Sequence, residues 1–475
     1  MKTTYKICAL LAILLTAGCN DFLHVRNFGK NDIPKHFSDM DGLRSALTGC
    51  YRVFYDFYDS EYLLYPEVAA DMVNLTATSR RMMDQFNYTS EPDQETGSVG
   101  HIWTLGMSAL ANINLLLKYA PNLKGYSSAQ DAEINRIIAQ GLYLRAAIHL
   151  FMCNCYGQPY NYTGSPHWGV PNLTFLPEVD QSVLRDDVSG IYKRVTDDLT
   201  EALHLFGAAN RPDNVYYVSG LACKALLARV YLYMEDWEAA RDMAGEVIAT
   251  PSMGLTSRSD YVDMFIGAAP GAEAIFRTNG IQISSRTARS FYLAGNENAV
   301  TAQKVVATFY DPFDIRHTLI TPDSVAKYNL SEAQQGIIDE GARAYAPFVS
   351  RLSEMFLIRA EAQCQLNRPE LAIPDLQAII GRAVGLVASE VHLGTLTKDM
   401  ALALVERERI LELGYEGHRL FDLLRWKRNV VRDASTTSTY PSLTIPYPND
   451  LFILPIPQRE IDSNPAIQPN PTVNY

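Results

Sequence analysis

The densest group of ionisable side chains lies between Glu406 and Trp426, where the chain reads ERERILELGYEGHRLFDLLRW. Arg419, Asp422 and Arg425 follow one another at intervals of three, the spacing at which side chains meet on one face of a helix. Apolar or small residues form a helical stripe beside them, at Ile410, Leu413, Gly417, Leu420, Phe421 and Leu424. Such a charged group is either a binding site or a structural network of ion pairs. The apolar stripe favours the structural network, which would lock this element to its neighbours.

Motifs for catalysis are absent from the sequence. The chain contains no His-Glu-x-x-His, Gly-x-Ser-x-Gly, Walker or Gly-x-Gly-x-x-Gly pattern. Its nine histidines never lie closer than the twelve positions between His24 and His36, so no two share a helical turn as metal ligands would. We therefore expect no catalytic residue, no metal and no cofactor. Two carboxylates brought together by folding, as in a glycoside hydrolase, stay open as an alternative.

The charge balance argues against nucleic acid as a partner. Lys and Arg total 41 against 53 Asp and Glu, a formal charge of −12. Nucleic-acid binding depends on neutralising phosphates with basic side chains. We therefore expect no nucleic-acid partner.

The first nineteen residues have the features of an export signal. Lys2 and Lys6 flank the start of an apolar run over 7–15, followed by Thr16-Ala17-Gly18-Cys19. The run is too short to span a bilayer, which takes roughly 20 residues. Small residues leading into a cysteine resemble the bacterial lipobox, which predicts removal of residues 1–18 and acylation of Cys19. An ordinary periplasmic or secreted fate is the alternative.

The remaining cysteines give no sign of a disulfide framework. Five stay in the mature body, which is an odd number, and Cys153-x-Cys155 lacks the spacing of redox or zinc motifs. We predict that all five are small, buried apolar residues, namely Cys50, Cys153, Cys155, Cys223 and Cys364.

Helical pairs are the main pattern of the body. Two units of 34 residues, at 217–250 and 350–383, each combine two amphipathic stripes and carry small residues twelve apart. These are Ala228 and Ala240 in the first unit and Ala360 and Ala372 in the second. The period is typical of tetratricopeptide repeats. Further helices are predicted at 101–119, 131–153, 187–206 and 398–428.

Residues 251–349 interrupt the repeats with Gly, Ser and aromatic residues. Within them, Asn279-Gly280 separates short runs suited to β-structure, which predicts a hairpin over 274–283 with a type I′ turn. The last 41 residues hold eight of the 24 prolines, which predicts an extended tail over the helical body.

Several segments in order along the chain resemble the SusD/RagB family of outer-membrane nutrient-binding lipoproteins of Bacteroidetes. The 406–426 stretch resembles the family signature. The other matching segments are Cys19-Asn20-Asp21-Phe22-Leu23, Leu144-Arg145-Ala146, Tyr156-Gly157-Gln158-Pro159, Ala225 to Tyr233, Ile358 to Ala362, and Leu454 to Pro465. Together they cover nearly the whole mature chain.

The resemblance implies a mostly α fold, with four tetratricopeptide-like helical pairs and an irregular loop and β-hairpin insertion that forms the ligand face. We expect a signal peptide at 1–18, an N-terminal helical region at 19–250, the insertion at 251–349, and a C-terminal helical region with a Pro-rich tail at 350–475. The resemblance also implies a lipid-anchored protein on the cell surface, in the outer membrane, whose partner is a TonB-dependent transporter of the SusC type.

Family ligand contacts come from the region after the first helix and from the insertion. The resemblance therefore indicates Asp71, Arg81 and Trp103 in the first region, and Phe291, Tyr292 and Tyr310 in the second. Each has a structural alternative: Trp103 as a packing residue at a helix end, Asp71 and Arg81 as a surface ion pair or cap. We expect capture of an oligosaccharide. A peptide ligand, or a protein-interaction scaffold without a small ligand, are the alternatives.

Overall fold

The computed structural model describes residues 33–75, 81–93, 99–162, 167–178, 181–207, 213–251, 253–266, 271–280, 287–292, 300–302, 311–321, 324–328, 345–434 and 442–470. Cys19, Tyr310 and the signal segment lie outside these ranges. The long helices are α2 (Met40–Phe57), α5 (Val99–Tyr119), α6 (Ser128–Tyr156), α7 (Val188–Phe206), α8 (Gly220–Met234), α9 (Trp237–Ile248), α12 (Leu352–Gln365), α13 (Ile373–Val384) and α14 (Lys398–Leu413). The shorter ones are α1 (Ile33–His36), α3 (Leu63–Val68), α4 (Met83–Asn87), α10 (Asp263–Ile266), α11 (Thr287–Tyr292), α15 (Arg419–Arg425) and α16 (Gln458–Ser463).

The strands are short and pair two by two, always antiparallel. They are β1 (Val73–Leu75) with β5 (Val300–Ala302), β2 (Trp168–Pro171) with β3 (Arg185–Asp187), β4 (Ala274–Arg277) with β8 (Phe348–Arg351), β6 (Ile320–Thr321) with β7 (Ser324–Val325), and β9 (Val430–Arg432) with β10 (Leu443–Ile445).

Local sequence sets where the long helices begin. Six of them start after a side chain that accepts a hydrogen bond from a backbone N–H of the first turn, which satisfies a donor that the helix itself leaves unpaired. These N-caps are Asp39, Ser127, Asp187, Ser219, Asp236 and Thr397.

The predicted helical-pair scaffold is confirmed. The 217–250 unit forms α8 and α9, and the 350–383 unit forms α12 and α13. Each helix packs on the next in the order α2, α5, α6, α7, α8, α9, α12 and α13. All four small residues of the two units are fully buried, so the helices approach closely there. The main hydrophobic core runs through the chain from Phe37 to Ile467.

The predicted hairpin over 274–283 is wrong in its turn and in the partner of its first strand, and its second half, at 281–283, lies outside the described residues. The strand at 274–277 forms, but its partner is β8, more than 70 residues later. Gly280 continues this ladder by donating its N–H to the carbonyl of Tyr345, and it lacks the positive φ of a type I′ turn. The long-range pairing therefore overrides the local Asn-Gly signal. The described hairpin of the insertion is instead β6 with β7.

Chain direction changes inside the predicted helix 398–428. The segment divides into α14 and α15, and Tyr415 and Gly417 between them adopt positive φ angles of 66° and 86°. Gly417 places its backbone against Leu63, where a Cβ atom would lie 3.3 Å from that side chain. The two N–H groups of Gly417 and His418 donate to the buried carboxylate of Glu67.

Most charged residues of the 406–426 segment belong to buried ion pairs, as the sequence indicates, whereas Arg407 is exposed. Glu412 is fully buried and lies 2.6 Å from both Arg351 Nη1 and Arg382 Nη2, and 3.3 Å from Arg316 Nη1. Arg351 also donates to Glu416 and Glu273. The charges of the three arginines outweigh burial, so the pKa of Glu412 lies well below its ordinary value.

The last described segment lies over the helical body, as predicted for a Pro-rich tail. Leu454 donates its N–H to the carbonyl of Cys155, and Asn470 Nδ2 donates to the carbonyl of Tyr156. All five predicted cysteines are free and buried. Among the residues that the structure describes, no helix combines the length and apolar character needed to cross a bilayer.

We expect Glu412→Gln to lower the free energy of unfolding by about 3–5 kcal/mol, because it leaves three buried guanidinium groups without their shared carboxylate. Urea unfolding of the purified mature protein at neutral pH measures the change. Glu133→Gln is the matched control: Glu133 pairs with the exposed Arg44, so its loss should leave stability nearly unchanged. Equal effects of the two substitutions would contradict the role assigned to the network.

Candidate functional site

A kink follows helix α2 at residues Tyr58–Tyr62. Within it, Asp59 (φ −87°, ψ 36°) and Ser60 (φ −103°, ψ −160°) leave the helical conformation. Here the kink buries two carboxylates, those of Asp59 and Glu61.

Asp59 joins the kink to the insertion. Its carboxylate accepts hydrogen bonds from the Tyr55 hydroxyl at 2.9 Å, from the N–H groups of Thr287 and Ala288 at 2.9 and 3.3 Å, and from the Tyr345 hydroxyl. Burial raises the pKa of Asp59 to about 6, and the four hydrogen bonds limit the rise. Asp59 thus fixes the start of α11 and the strand region at Tyr345 against α2.

Glu61, the second buried carboxylate of the kink, contacts Arg81 and His101. Its carboxylate accepts from Arg81 Nε at 3.1 Å and lies 2.6 Å from His101 Nδ1. Burial opposes ionisation of Glu61, but the His101 hydrogen bond and the Arg81 charge outweigh it and lower its pKa. The same hydrogen bond raises the pKa of His101. The side chains of Arg81 and His101 are 27% and 46% exposed, so this polar group reaches the surface.

An aromatic cleft lies between α2, the loop before α8, and the end of β4. Its volume is about 180 Å³. Six aromatic residues and five polar ones line it: Tyr51, Phe54, Tyr55, Tyr216, Tyr217 and Phe276, with Thr48, Arg52, Arg277, Thr278 and Asn279. Below, "aromatic cleft" refers to this set.

The floor of the aromatic cleft is rigid and its rim is open. Phe54 and Phe276 are 1% exposed and close the floor. Tyr51 is held by two hydrogen bonds, donating to Gln140 at 2.6 Å and accepting from Val218 N–H at 2.8 Å. Tyr217 stands edge-on to Tyr51, with ring centroids 5.2 Å apart, and is 49% exposed. The cleft therefore presents an accessible aromatic ring beside fixed polar groups.

Most of the residues that the sequence indicated as ligand contacts lie elsewhere. Phe291 and Tyr292 are buried, and Tyr292 stacks on Tyr328 with centroids 5.8 Å apart. Trp103 is 3% exposed and donates its indole N–H to Glu460 at 3.0 Å. The structure corrects these three to interior packing residues, because protein atoms cover their rings.

The two charged candidates have ion-pair partners. Asp71 receives two hydrogen bonds from Arg419, both 2.7 Å long, which ties β1 to the start of α15. Arg81 pairs with Glu61. As ligand contacts, Asp71 and Arg81 stay predictions, and Arg81 is the more exposed of the two. Tyr310 lies outside the described residues.

Two family models match the chain. The model described as "SusD family" matches residues 324–472, and the one described as "Starch-binding associating with outer membrane" matches residues 21–232. The segment 21–232 contains the kink after α2, and the segment 324–472 contains helices α12 to α16. The chain belongs to the SusD/RagB family. Members of this family are binding proteins without catalytic activity, and they associate with the outer membrane.

Individual relatives are similar along nearly their whole length. SusD-like protein P25 of Formosa agariphila is 22% identical over 100% of this chain and 99% of its own. A SusD superfamily protein of Bacteroides thetaiotaomicron superposes with a TM-score of 0.79 at 23% identity, covering 91% of this chain and 99% of that one. A putative sugar binding protein of Bacteroides vulgatus gives 0.78 at 22%, covering 91% and 98%. The SusD-like fold is thereby confirmed.

Sequence reasoning missed the aromatic cleft because three separate segments build it. One signal was present within α2: Thr48, Tyr51, Arg52 and Tyr55 recur at helical spacing and mark one face. The Tyr216-Tyr217 pair is a second signal. Neither tells which segments meet, since that depends on the pairing of β4 with β8.

The raised pKa of Asp59 predicts a pH dependence of stability. A carboxyl group with a higher pKa in the folded state stabilises the fold below its unfolded pKa, and that contribution is lost as pH rises through the folded value. The free energy of unfolding of the wild type, relative to Asp59→Asn, should therefore fall between about pH 4 and pH 6. Urea unfolding across this range measures the difference.

Asp187→Asn serves as the control, because Asp187 also caps a helix but at an exposed position. Its hydrogen bond from Gly190 N–H lowers its pKa. The wild type should therefore gain stability relative to Asp187→Asn as pH rises through the acidic range. The same sign for both carboxylates would contradict the environment described for Asp59.

Proposed function

We propose that this protein is a cell-surface nutrient-binding lipoprotein that captures an oligosaccharide in the aromatic cleft and delivers it to a TonB-dependent, SusC-like transporter. The observation that carries the proposal is the aromatic cleft, with its exposed Tyr217 ring beside the polar side chains of Arg52 and Asn279. Family membership supports it, as does the sugar-binding description of the Bacteroides vulgatus relative.

The chemistry of the cleft suits a sugar. A pyranose ring has apolar C–H faces and an equator of hydroxyl groups, and tyrosine offers a flat apolar ring with a polar end at a small cost in conformational entropy. Thr48 and Asn279 add short polar side chains around the rim. A cleft of about 180 Å³ is smaller than a pocket for a whole drug-sized ligand. It therefore suits one ring of an oligomer whose other units extend over the surface.

Arg81 and His101, which contact Glu61 of the kink, are proposed as secondary contacts of the glycan. Both are partly exposed and held by Glu61, so their hydrogen-bonding groups are pre-oriented. Asp71, Trp103, Phe291 and Tyr292 would support the site from within the structure through the contacts described above.

Delivery requires an anchor and a partner. Acylation of Cys19 would hold the protein on the outer membrane, since each buried CH₂ contributes about 0.8 kcal/mol. The transporter partner is inferred from the family. Capture without catalysis agrees with the absence of catalytic motifs from the sequence.

A peptide ligand is the second candidate. The observation in its favour is the same tyrosine-rich lining, because tyrosine binds peptides as well as sugars. A scaffold without a small ligand would leave the cleft without function. Thermal-shift screening of the mature protein against oligosaccharide and peptide panels separates the three, since a ligand at about a hundred times its dissociation constant adds roughly 2.7 kcal/mol of stability.

We expect Tyr217→Ala to weaken binding of the glycan found in that screen by at least about threefold, because a stacked aromatic contact is lost. Isothermal titration calorimetry gives the dissociation constant. Tyr126→Ala is the control, since Tyr126 is 86% exposed and does not line the cleft. Unchanged affinity in Tyr217→Ala would place the glycan elsewhere, and stabilisation by peptides alone would replace the glycan with a peptide.

Cys19→Ala should abolish lipidation. We expect the variant to lose incorporation of a labelled fatty acid and to leave the outer-membrane fraction, whereas Cys50→Ala should retain both properties. Cys50 is buried in the folded body. Retention of the label by Cys19→Ala would remove the proposed anchor.

A further inference from the structure

The charged lining of the aromatic cleft has one sign. Its charged residues are Arg52 and Arg277, and none of the Asp and Glu residues that the structure describes lines it. The mature chain, by contrast, has 39 basic and 53 acidic residues after loss of residues 1–18, which gives a formal charge of −14. The cleft is therefore a local basic surface on an acidic protein. A local field of this kind acts on a ligand at short range even when the net charge has the opposite sign.

Arg52 is positioned to receive an anion. Its Nε donates to both carboxylate oxygens of Asp56, at 3.0 and 2.9 Å, which fixes the plane of the guanidinium group. Its two terminal nitrogens make no hydrogen bond to any residue within the described ranges, and its side chain is 52% exposed. The planar edge of an arginine matches a carboxylate or a sulfate, each of which can accept two parallel hydrogen bonds.

Arg277 adds a second positive charge deeper in the cleft. It is 1% exposed, donates Nε to the carbonyl of Ala346 at 2.7 Å, and places its guanidinium carbon 4.2 Å from the Phe348 ring centroid. Burial lowers its pKa to about 10, so it stays charged at neutral pH. A charge in so dry a position interacts more strongly with an entering anion than a charge in water does.

We propose that the aromatic cleft selects an anionic oligosaccharide, one whose sugar units carry carboxylate or sulfate groups. This inference rests on the glycan capture proposed above and names its substrate class. The sugar ring packs against Tyr217 while its acidic substituent meets the terminal nitrogens of Arg52. Arg277 contributes attraction from the floor.

Calorimetric titration with three oligosaccharides of equal length tests the inference: cellohexaose as the neutral probe, hexagalacturonate as the carboxylated probe, and a sulfated carrageenan hexamer. We expect at least one anionic probe to bind about tenfold or more tightly than the neutral one, because hydrogen bonds to charged groups are the stronger ones. This preference should decrease as salt is raised. Arg52→Gln should reduce the affinity for the anionic probe about tenfold and the affinity for cellohexaose by a clearly smaller factor, because the neutral sugar loses no charged partner.

Arg44→Gln is a closely matched control. Arg44 lies on the same helix, is also 52% exposed, and pairs through Nε with a carboxylate, that of Glu133, but it does not line the cleft. The Arg44→Gln substitution should leave the affinities for the anionic probe and for cellohexaose unchanged. Asp56→Asn should strengthen anion binding about threefold by removing a competing carboxylate, and Asp41→Asn, which removes the same charge beside Arg44, should not.

The outcomes separate the two proposals. If cellohexaose binds as tightly as the anionic probes, the inference is overturned while glycan capture stands. Equal losses in Arg52→Gln and Arg44→Gln would also overturn it, since the attraction would then come from overall charge rather than from the cleft. If no oligosaccharide binds, both proposals fall together.

Discussion

The buried ion-pair network around Glu412 is the interaction on which the rest of the structure depends. It takes four cations from three parts of the chain: Arg316 and Lys327 of the insertion, Arg351 at the end of β8, and Arg382 on α13. Their carboxylate partners Glu408, Glu412 and Glu416 belong to or directly follow a single helix, α14. Because a charge left unpaired in the interior is costly, this network permits only arrangements in which all of these parts meet.

The network also determines where the aromatic cleft forms. Arg351 ends β8, whose pairing with β4 places Phe276 and Arg277 at the floor of the cleft. Asp59, in the kink after α2, also binds α11 and Tyr345. Helix α2 itself supplies Tyr51, Arg52 and Tyr55 to the cleft. The insertion is thus attached to the helical frame by ion pairs at Arg316 and Lys327, and by the Asp59 carboxylate at Thr287, Ala288 and Tyr345.

The sequence was sufficient for features that depend on local periodicity or on a single segment. The helical pairs at 217–250 and 350–383, the buried cysteines and the ion-pair character of 406–426 all follow from residue spacing. Contacts between distant segments could not be predicted from residue spacing. Asp71 meets Arg419 across more than 300 residues, and Asn279-Gly280, a strong local turn signal, is overridden by pairing with residues near Tyr345. Trp103 shows the same limit, since its partner Glu460 lies in the tail and covers a ring that the sequence suggested was available to ligand.

The tail that crosses the helical body has a consequence for export. Residues 454–470 complete the surroundings of α6 through Cys155 and Tyr156, and Gln458 donates to the carbonyl of Pro92. These contacts join residues that lie 299 to 366 positions apart, and contacts between such distant residues slow folding. The first helices leave the ribosome long before the tail residues that pack against them. A polypeptide of this topology stays unfolded during synthesis for longer than one with local contacts, and a chain that must be threaded through a secretion channel benefits from that delay.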